Sequence, residues 1–196
     1  NFLTLEECNR LIDLGAESGY LVSMDIGTKI FDGSYGALAS KNRTSTNSWC
    51  TDECYEDTQT KEVMKKIERI TAIPEANSEF LQLLRYATGQ FYRTHHDLIP
   101  YQVTGRQQGA RIITVFLYLN DVEQGGGTNF PKLSNLTIMP KQGRALIWPS
   151  VLSEDPNIKD PRTVHQALPV EKGVKYGANA WLHQRDYKEA VERDCQ

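Results

Sequence analysis

His95 and Asp97 stand two residues apart in "YRTHHDLIP" (92–100), and a further imidazole, His165, follows in "TVHQALPVEKGVKYG", ten residues before Lys175. On an extended segment, residues i and i+2 project to the same face, so an imidazole nitrogen and a carboxylate can converge on one cation. Two histidines and one carboxylate on one face of an Fe(II) ion leave the opposite positions open for a substrate and O2. A lysine at the far end of such a pocket suits 2-oxoglutarate. That molecule chelates iron through its 1-carboxylate and 2-oxo group, and its other carboxylate needs a buried cation and hydroxyl donors. An H-x-D pair alone is a weak signal; His165 and Lys175 give it weight.

These residues need a frame. "TLEECNRLIDLG" starts with a capping box, Thr4 with Glu7, and puts Cys8, Leu11 and Ile12 on one face, which predicts an amphipathic helix ending before Gly15. The polar stretch 40–60, "SKNRTSTNSWCTDECYEDTQT", has no sustained apolar period and reads as a long loop. Val63, Met64, Ile67 and Ile70 then recur at helical spacing until Pro74. From about Leu81 the chain becomes rich in β-branched and aromatic residues punctuated by Gly, Pro and Asn, as expected of successive short strands. "MPKQGRALIW" reads as a hairpin with its turn at 140–143. Helices first and strands second, without alternation, predict an α+β domain with helices packed on a β-sandwich or barrel.

The chain has 196 residues, enough for one domain with a full core. A net charge of −3 and a pI of about 5.8 offer no general attraction to nucleic acid or an anionic membrane, so no nucleic-acid partner is expected. No apolar run is long enough for a membrane span, and "NFLTLEECNR" lacks the features of a signal peptide. A start at Asn1 reads as trimmed, with room for an anchor upstream. Cys8, Cys50, Cys54 and Cys195 are compatible with an oxidising compartment, and zinc ligation by Cys50 and Cys54 is the less favoured alternative. The sequons at Asn42 and Asn135 would matter only in a secretory protein.

"FLTLEEC", "RTS", "LLRYATGQFYRTHHD", "RIITVFLYLNDVEQGGGTNFP", "IMPKQGRALIW" and "HQALPVEKGVKYGANAWLHQ", in this order, resemble the 2-oxoglutarate and Fe(II) dependent prolyl 4-hydroxylases, most closely the small plant and algal type and the catalytic domains of the collagen enzymes. The resemblance implies one catalytic domain over 1–196, a double-stranded β-helix (jelly roll) spanning about 81–185 and buttressed by helices from about 1–80. It makes His95, Asp97 and His165 the iron ligands and Lys175 the partner of the distal carboxylate of 2-oxoglutarate, with the hydroxyls of Tyr86 and Thr128 beside it. Lysine in this task matters for subclass, because the oxygen-sensing and lysyl hydroxylases use arginine. His96 occupies the variable middle position and should point away from the metal. Gly127 and Val164 depart from common family residues without removing a functional group.

On the substrate side the resemblance points to Arg43, Ser45, Glu79, Arg111, Trp181 and His183. A polyproline II peptide leaves its carbonyls unpaired, so aromatic faces and fixed donors suit it. The segments around "RTS" and "IPYQVTGRQQG" are expected to close over it. The activity implied is hydroxylation of proline in proline-rich or collagen-like peptides, with O2 and 2-oxoglutarate consumed, succinate and CO2 released, ascorbate restoring the iron, and no general base beyond the iron centre. The same resemblance places the protein in the secretory pathway, in the endoplasmic reticulum or Golgi lumen. Two other readings stay open: a 2-oxoglutarate hydroxylase of another residue or a small molecule, and an inactive peptide-binding module of the same fold.

Overall fold

The computed structural model describes residues 1–29, 35–38 and 41–195. The chain begins with α1 (Leu5–Ser18), capped by the reciprocal Thr4 and Glu7 bonds that the sequence predicts. The helix does not stop before Gly15. It runs a turn further to Gly19, because a buried glycine inside an otherwise favourable helix costs too little to end it. Strands β1 (Leu21–Val22), β2 (Asp25–Lys29), β3 (Tyr35–Leu38) and β4 (Thr46–Trp49) follow, then α2 (Asp52–Glu56) and α3 (Thr58–Thr71). The described part of the stretch read as a loop is thus largely ordered. Its small polar side chains hide a strand because backbone pairing with the next strand, rather than apolar alternation, holds β4 in place. Asp57 caps α3 through the Gln59 N–H, and Val63, Met64 and Ile67 are buried, whereas Ile70 is exposed.

The second half supplies β5 (Gln82–Tyr86), β6 (Tyr92–His95), α4 (Pro100–Gly105), β7 (Arg111–Tyr118), β8 (Gln124–Gly125), β9 (Thr128–Phe130), β10 (Leu136–Ile138), β11 (Ala145–Pro149), β12 (His165–Ala167), β13 (Val170–Lys172), β14 (Lys175–His183) and α5 (Tyr187–Glu192). A six-stranded sheet runs β1-β4-β5-β14-β7-β11, and a four-stranded sheet runs β10-β9-β12-β6. The core is the jelly roll, within an α+β architecture. The hairpin expected around 140–143 does not form. β10 pairs with β9 and β11 with β7, so this segment carries the chain from one sheet to the other. "IPYQVTG" likewise forms the short helix α4, with Pro100 in its first turn.

The larger sheet faces two ways. Leu83, Val115, Leu117, Ala178, Ala180 and Leu182 pack with α1 and α3, while Leu84, Tyr86, Phe116 and Tyr118 join Phe130 and Trp148 between the sheets. Alternation along β14 therefore puts Lys175, Asn179 and Trp181 on the inner face. Cys50 and Cys54 form a disulfide between the end of β4 and α2, which removes the zinc alternative. Cys8 is free and buried, and Cys195 is free and exposed.

Gly177 sits on the inner face between Lys175 and Asn179, where a Cβ would come within 2.6 Å of the Phe116 ring and 3.0 Å of the Leu117 carbonyl. Gly177→Ala should destabilise the fold by about 1–3 kcal/mol, the usual cost of overpacking. Urea unfolding would show this as a lower midpoint at unchanged slope.

Candidate active site

His95 on β6 and His165 on β12 face each other directly across an antiparallel ladder, and Asp97 lies just past the end of β6. His95 Nε2 is 4.0 Å from Asp97 Oδ1, and His165 Nε2 is 3.7 Å from Asp97 Oδ2. One donor atom from each residue lies within 4.8 Å of the others, so the trio could hold a metal ion. The Nδ1 of His95 is 2.7 Å from the Arg93 carbonyl and that of His165 is 2.9 Å from the Thr163 carbonyl. Each Nδ1 can only donate there, which leaves each Nε2 with a lone pair directed at the centre. The Thr114 hydroxyl donates to Asp97 Oδ2 at 2.6 Å.

Charge states follow from these neighbours. Burial, and then the adjacent His165, push the His95 imidazole down to about 3. Burial opposes ionisation of Asp97, but the two imidazoles and the Thr114 hydroxyl outweigh it and hold the carboxyl at about 2. Neutral imidazole beside carboxylate is the state a cation requires. The rings are braced from outside: Tyr92 stacks on His95 at 3.6 Å, and Trp148 meets His165 edge-on at 4.7 Å.

The same cavity is lined by Tyr86, Phe116, Thr128 and Lys175. Lys175 is 1% exposed, and its ammonium lies near ring faces, with the centroids of Phe116, Tyr86 and Tyr118 at 5.0, 5.2 and 5.5 Å. Burial alone pushes its pKa down to about 7. A buried amine without a carboxylate partner among the described residues suits an anionic ligand, which would restore its charge. Thr128 accepts from the Tyr118 hydroxyl at 2.7 Å and so keeps its own proton to donate. Tyr86 lies opposite Lys175 in the β5–β14 pair, and burial raises its pKa. This donor set fits Fe(II) at the trio and a dicarboxylate reaching toward Lys175.

A cleft lined by Arg43, Gln82, Tyr92, Arg111 and Trp181 opens over His95 and Asp97. Arg111 Nε and Nη2 grip both oxygens of Glu79, at 2.5 and 3.0 Å, and its guanidinium lies 3.8 Å over the Trp181 ring. Burial works against the Glu79 carboxylate, yet Arg111 and His183 hold it at about 2. His183 is buried between Glu79 Oε1 and the Gly109 carbonyl, each 2.8 Å from a ring nitrogen. Arg43 donates to Gln82 at 2.9 Å and lies over Tyr92. Ser45 is buried and donates to Ser23 at 3.0 Å. Of the substrate residues singled out from the sequence, Arg43, Arg111 and Trp181 line this cleft. Ser45, Glu79 and His183 stand behind them.

His96 also lines this cleft, with both ring nitrogens engaged elsewhere: its Nδ1 accepts from the Leu98 N–H at 2.9 Å, and its Nε2 lies 2.9 Å from the Asp160 carbonyl. Thr114, Tyr92, Gln82 and Trp49, which also lines the cleft, are not legible as site residues in the sequence. Only Thr114 carried a usable signal, as a hydroxyl in register with Phe116 and Tyr118 on the inner face of β7.

A family profile described as the 2OG-Fe(II) oxygenase superfamily matches residues 81–183, the segment that carries the trio and Lys175. "Probable prolyl 4-hydroxylase 8" of Arabidopsis thaliana is 35% identical over 209 aligned positions, covering 95% of this chain and 68% of that protein. "Probable prolyl 4-hydroxylase 10" of the same plant is 34% identical, covering 96% and 68%. The crystal structure of the viral collagen prolyl hydroxylase from Paramecium Bursaria Chlorella virus-1 in its 2OG complex matches with a TM-score of 0.68 at 27% identity, over 93% of this chain and 92% of that one. The chain belongs to the 2OG-Fe(II) oxygenase superfamily and, within it, to the prolyl 4-hydroxylases.

Proposed function

We propose that this protein hydroxylates peptidyl proline at C4, consuming O2 and 2-oxoglutarate and releasing succinate and CO2. The observation that carries this reading is the enclosure, in one cavity, of the His95, Asp97 and His165 donors with Lys175, which has no carboxylate partner among the described residues, beneath a cleft walled by Arg43, Arg111 and Trp181. Bound Fe(II) with 2-oxoglutarate and O2 supplies the oxidising chemistry, and the protein supplies geometry and a dry pocket. His95, Asp97 and His165 hold the metal. Lys175 pairs with the distal carboxylate of the cosubstrate, and Tyr86 and Thr128 donate to it.

The peptide is proline-rich and lies in the cleft, where Arg43 and Arg111 offer donors to its carbonyls and Trp181 a ring face. Glu79 and His183 fix the direction of Arg111, and Ser45 supports Arg43. Ascorbate takes the part of reductant for iron left oxidised by unproductive turnover. The work takes place in the secretory pathway, a location that the Cys50–Cys54 disulfide favours, since such bonds persist in oxidising compartments.

Succinate release by the Fe(II)-loaded enzyme should be stimulated by proline-rich peptides, with one oxygen added to proline, and His165→Ala should abolish both. Succinate without an oxidised peptide would move the substrate to another residue or a small molecule. Peptide binding without any succinate would indicate a binding module. Lys175→Met should raise the KM for 2-oxoglutarate about 10- to 100-fold, the worth of a charged hydrogen bond.

The pH dependence has a definite sign. Below pH about 7 the free site already carries the ammonium; above it, binding a dicarboxylate must take up a proton. The KM for 2-oxoglutarate should therefore be flat at low pH and rise up to about tenfold per unit above 7. In Lys175→Met the slope should vanish, as initial rates across a pH series would report.

A further inference from the structure

The two sequons stand in different surroundings. Asn42 directly precedes Arg43, which lines the metal cleft, and its carbonyl accepts from the Arg93 N–H at 2.8 Å. A glycan there would stand at the mouth of the cleft. Asn135 is exposed in the turn 131–135 that joins β9 to β10, with a φ of 59°, a left-handed conformation that asparagine tolerates. β10 is the outermost strand of its sheet, at the opposite edge from β6 with His95, so three strand spacings, roughly 14 Å, separate them.

The Asn135 amide has a determined direction. Asn129 Nδ2 is 3.2 Å from the Asn135 carbonyl and 2.8 Å from the Thr137 hydroxyl, while Asn129 Oδ1 accepts from Gln166 Nε2 at 2.9 Å. A backbone carbonyl can only accept, so the nitrogen of Asn129 must face this turn. The Asn135 side-chain atom 2.9 Å from that nitrogen is therefore Oδ1. Its Nδ2 makes no hydrogen bond among the described residues and sits on an exposed side chain. The surface around it is apolar. β10 pairs only with β9 among the described strands, which leaves its second edge open, and Leu133, Leu136 and Met139 beside it are 38%, 47% and 48% exposed. Open edges with apolar flanks invite pairing with another chain, and proteins normally cover them.

We propose that Asn135 is an N-glycan acceptor and that the glycan shields the open edge of the smaller sheet, leaving the cleft over His95 clear. Nδ2 forms a bond to C1 of the first sugar of a lipid-diphosphate-linked oligosaccharide; the C1–O bond breaks, the lipid diphosphate leaves with the electron pair, and the amide loses one proton. The product is bulky and solubilising, as an uncovered apolar edge requires. The proposal rests on the secretory location above, because only a chain in that lumen meets the donor.

The test expresses the chain behind a secretory leader in a eukaryotic cell and weighs the secreted protein before and after peptide N-glycosidase. The mass should fall on digestion, with Asn135 converted to aspartate in the peptide map. That shift should be lost in Asn135→Gln and in Thr137→Ala, and kept in Asn42→Gln. Asn135→Gln should sediment as larger species than the glycosylated protein at the same concentration, with the same kcat/KM for a proline-rich peptide. An unmodified Asn135 in the folded secreted protein, or a glycan at Asn42 in its place, overturns the acceptor; identical sedimentation of the two forms overturns the shielding. Because the leader imposes the route, neither result depends on where the native protein resides. Protease treatment of sealed microsomes decides that: digestion of the native protein from outside removes the secretory reading, and with it the glycan on the native protein, whatever the leader-driven chain shows.

Discussion

The ladder between β6 and β12 is the contact on which the candidate chemistry depends. It sets His95 opposite His165 at a ring separation of 4.3 Å, and the backbone of the same two segments supplies the carbonyls that fix both tautomers. Asp97 then needs only to follow β6 by two residues, with Thr114 reaching across from the larger sheet to hold its carboxylate. A slip of one residue in that pairing would turn one imidazole out of the cavity, because side chains alternate faces along a strand. Tyr92 packs on the His95 ring, and Phe130 and Trp148 pack on that of His165.

The second sheet does complementary work through β14. Its even-numbered residues Ala178, Ala180 and Leu182 join the core shared with α1 and α3, which forces Lys175, Asn179 and Trp181 inward. The helices thus shape the site without touching it: by demanding an apolar outer face they aim the inner one. The cost is a lysine stranded among rings. Burial of such a group is unfavourable, and an anion beside it would restore its charge.

Much of this was legible in the residues. The Thr4 and Glu7 cap, the Val63, Met64 and Ile67 face, and the strands around Arg111 and Lys175 follow from local chemistry. The trio follows from residue types and spacing, once its order along the chain is matched to a family. What failed to show did so for stated reasons. Alternation tells which face of a strand is buried and says nothing of its partner, so the 140–143 turn read as a hairpin when it links two sheets. The strand β4 is held by backbone pairing and small polar side chains, a combination without a periodic signature. The grip of Arg111 on Glu79, and the packing of Trp181 against Arg111 and Trp49, join residues from distant parts of the chain.

The distance along the chain between His95 and His165 also bears on when the centre can exist. Their pairing closes a long loop containing most of the second half, and non-local contacts of that kind form late because the entropy of closure is met before the contacts reward it. Until then the chain offers only the two donors of its His-x-Asp pair, His95 and Asp97. The three donors therefore exist as one group only once β6 and β12 have paired.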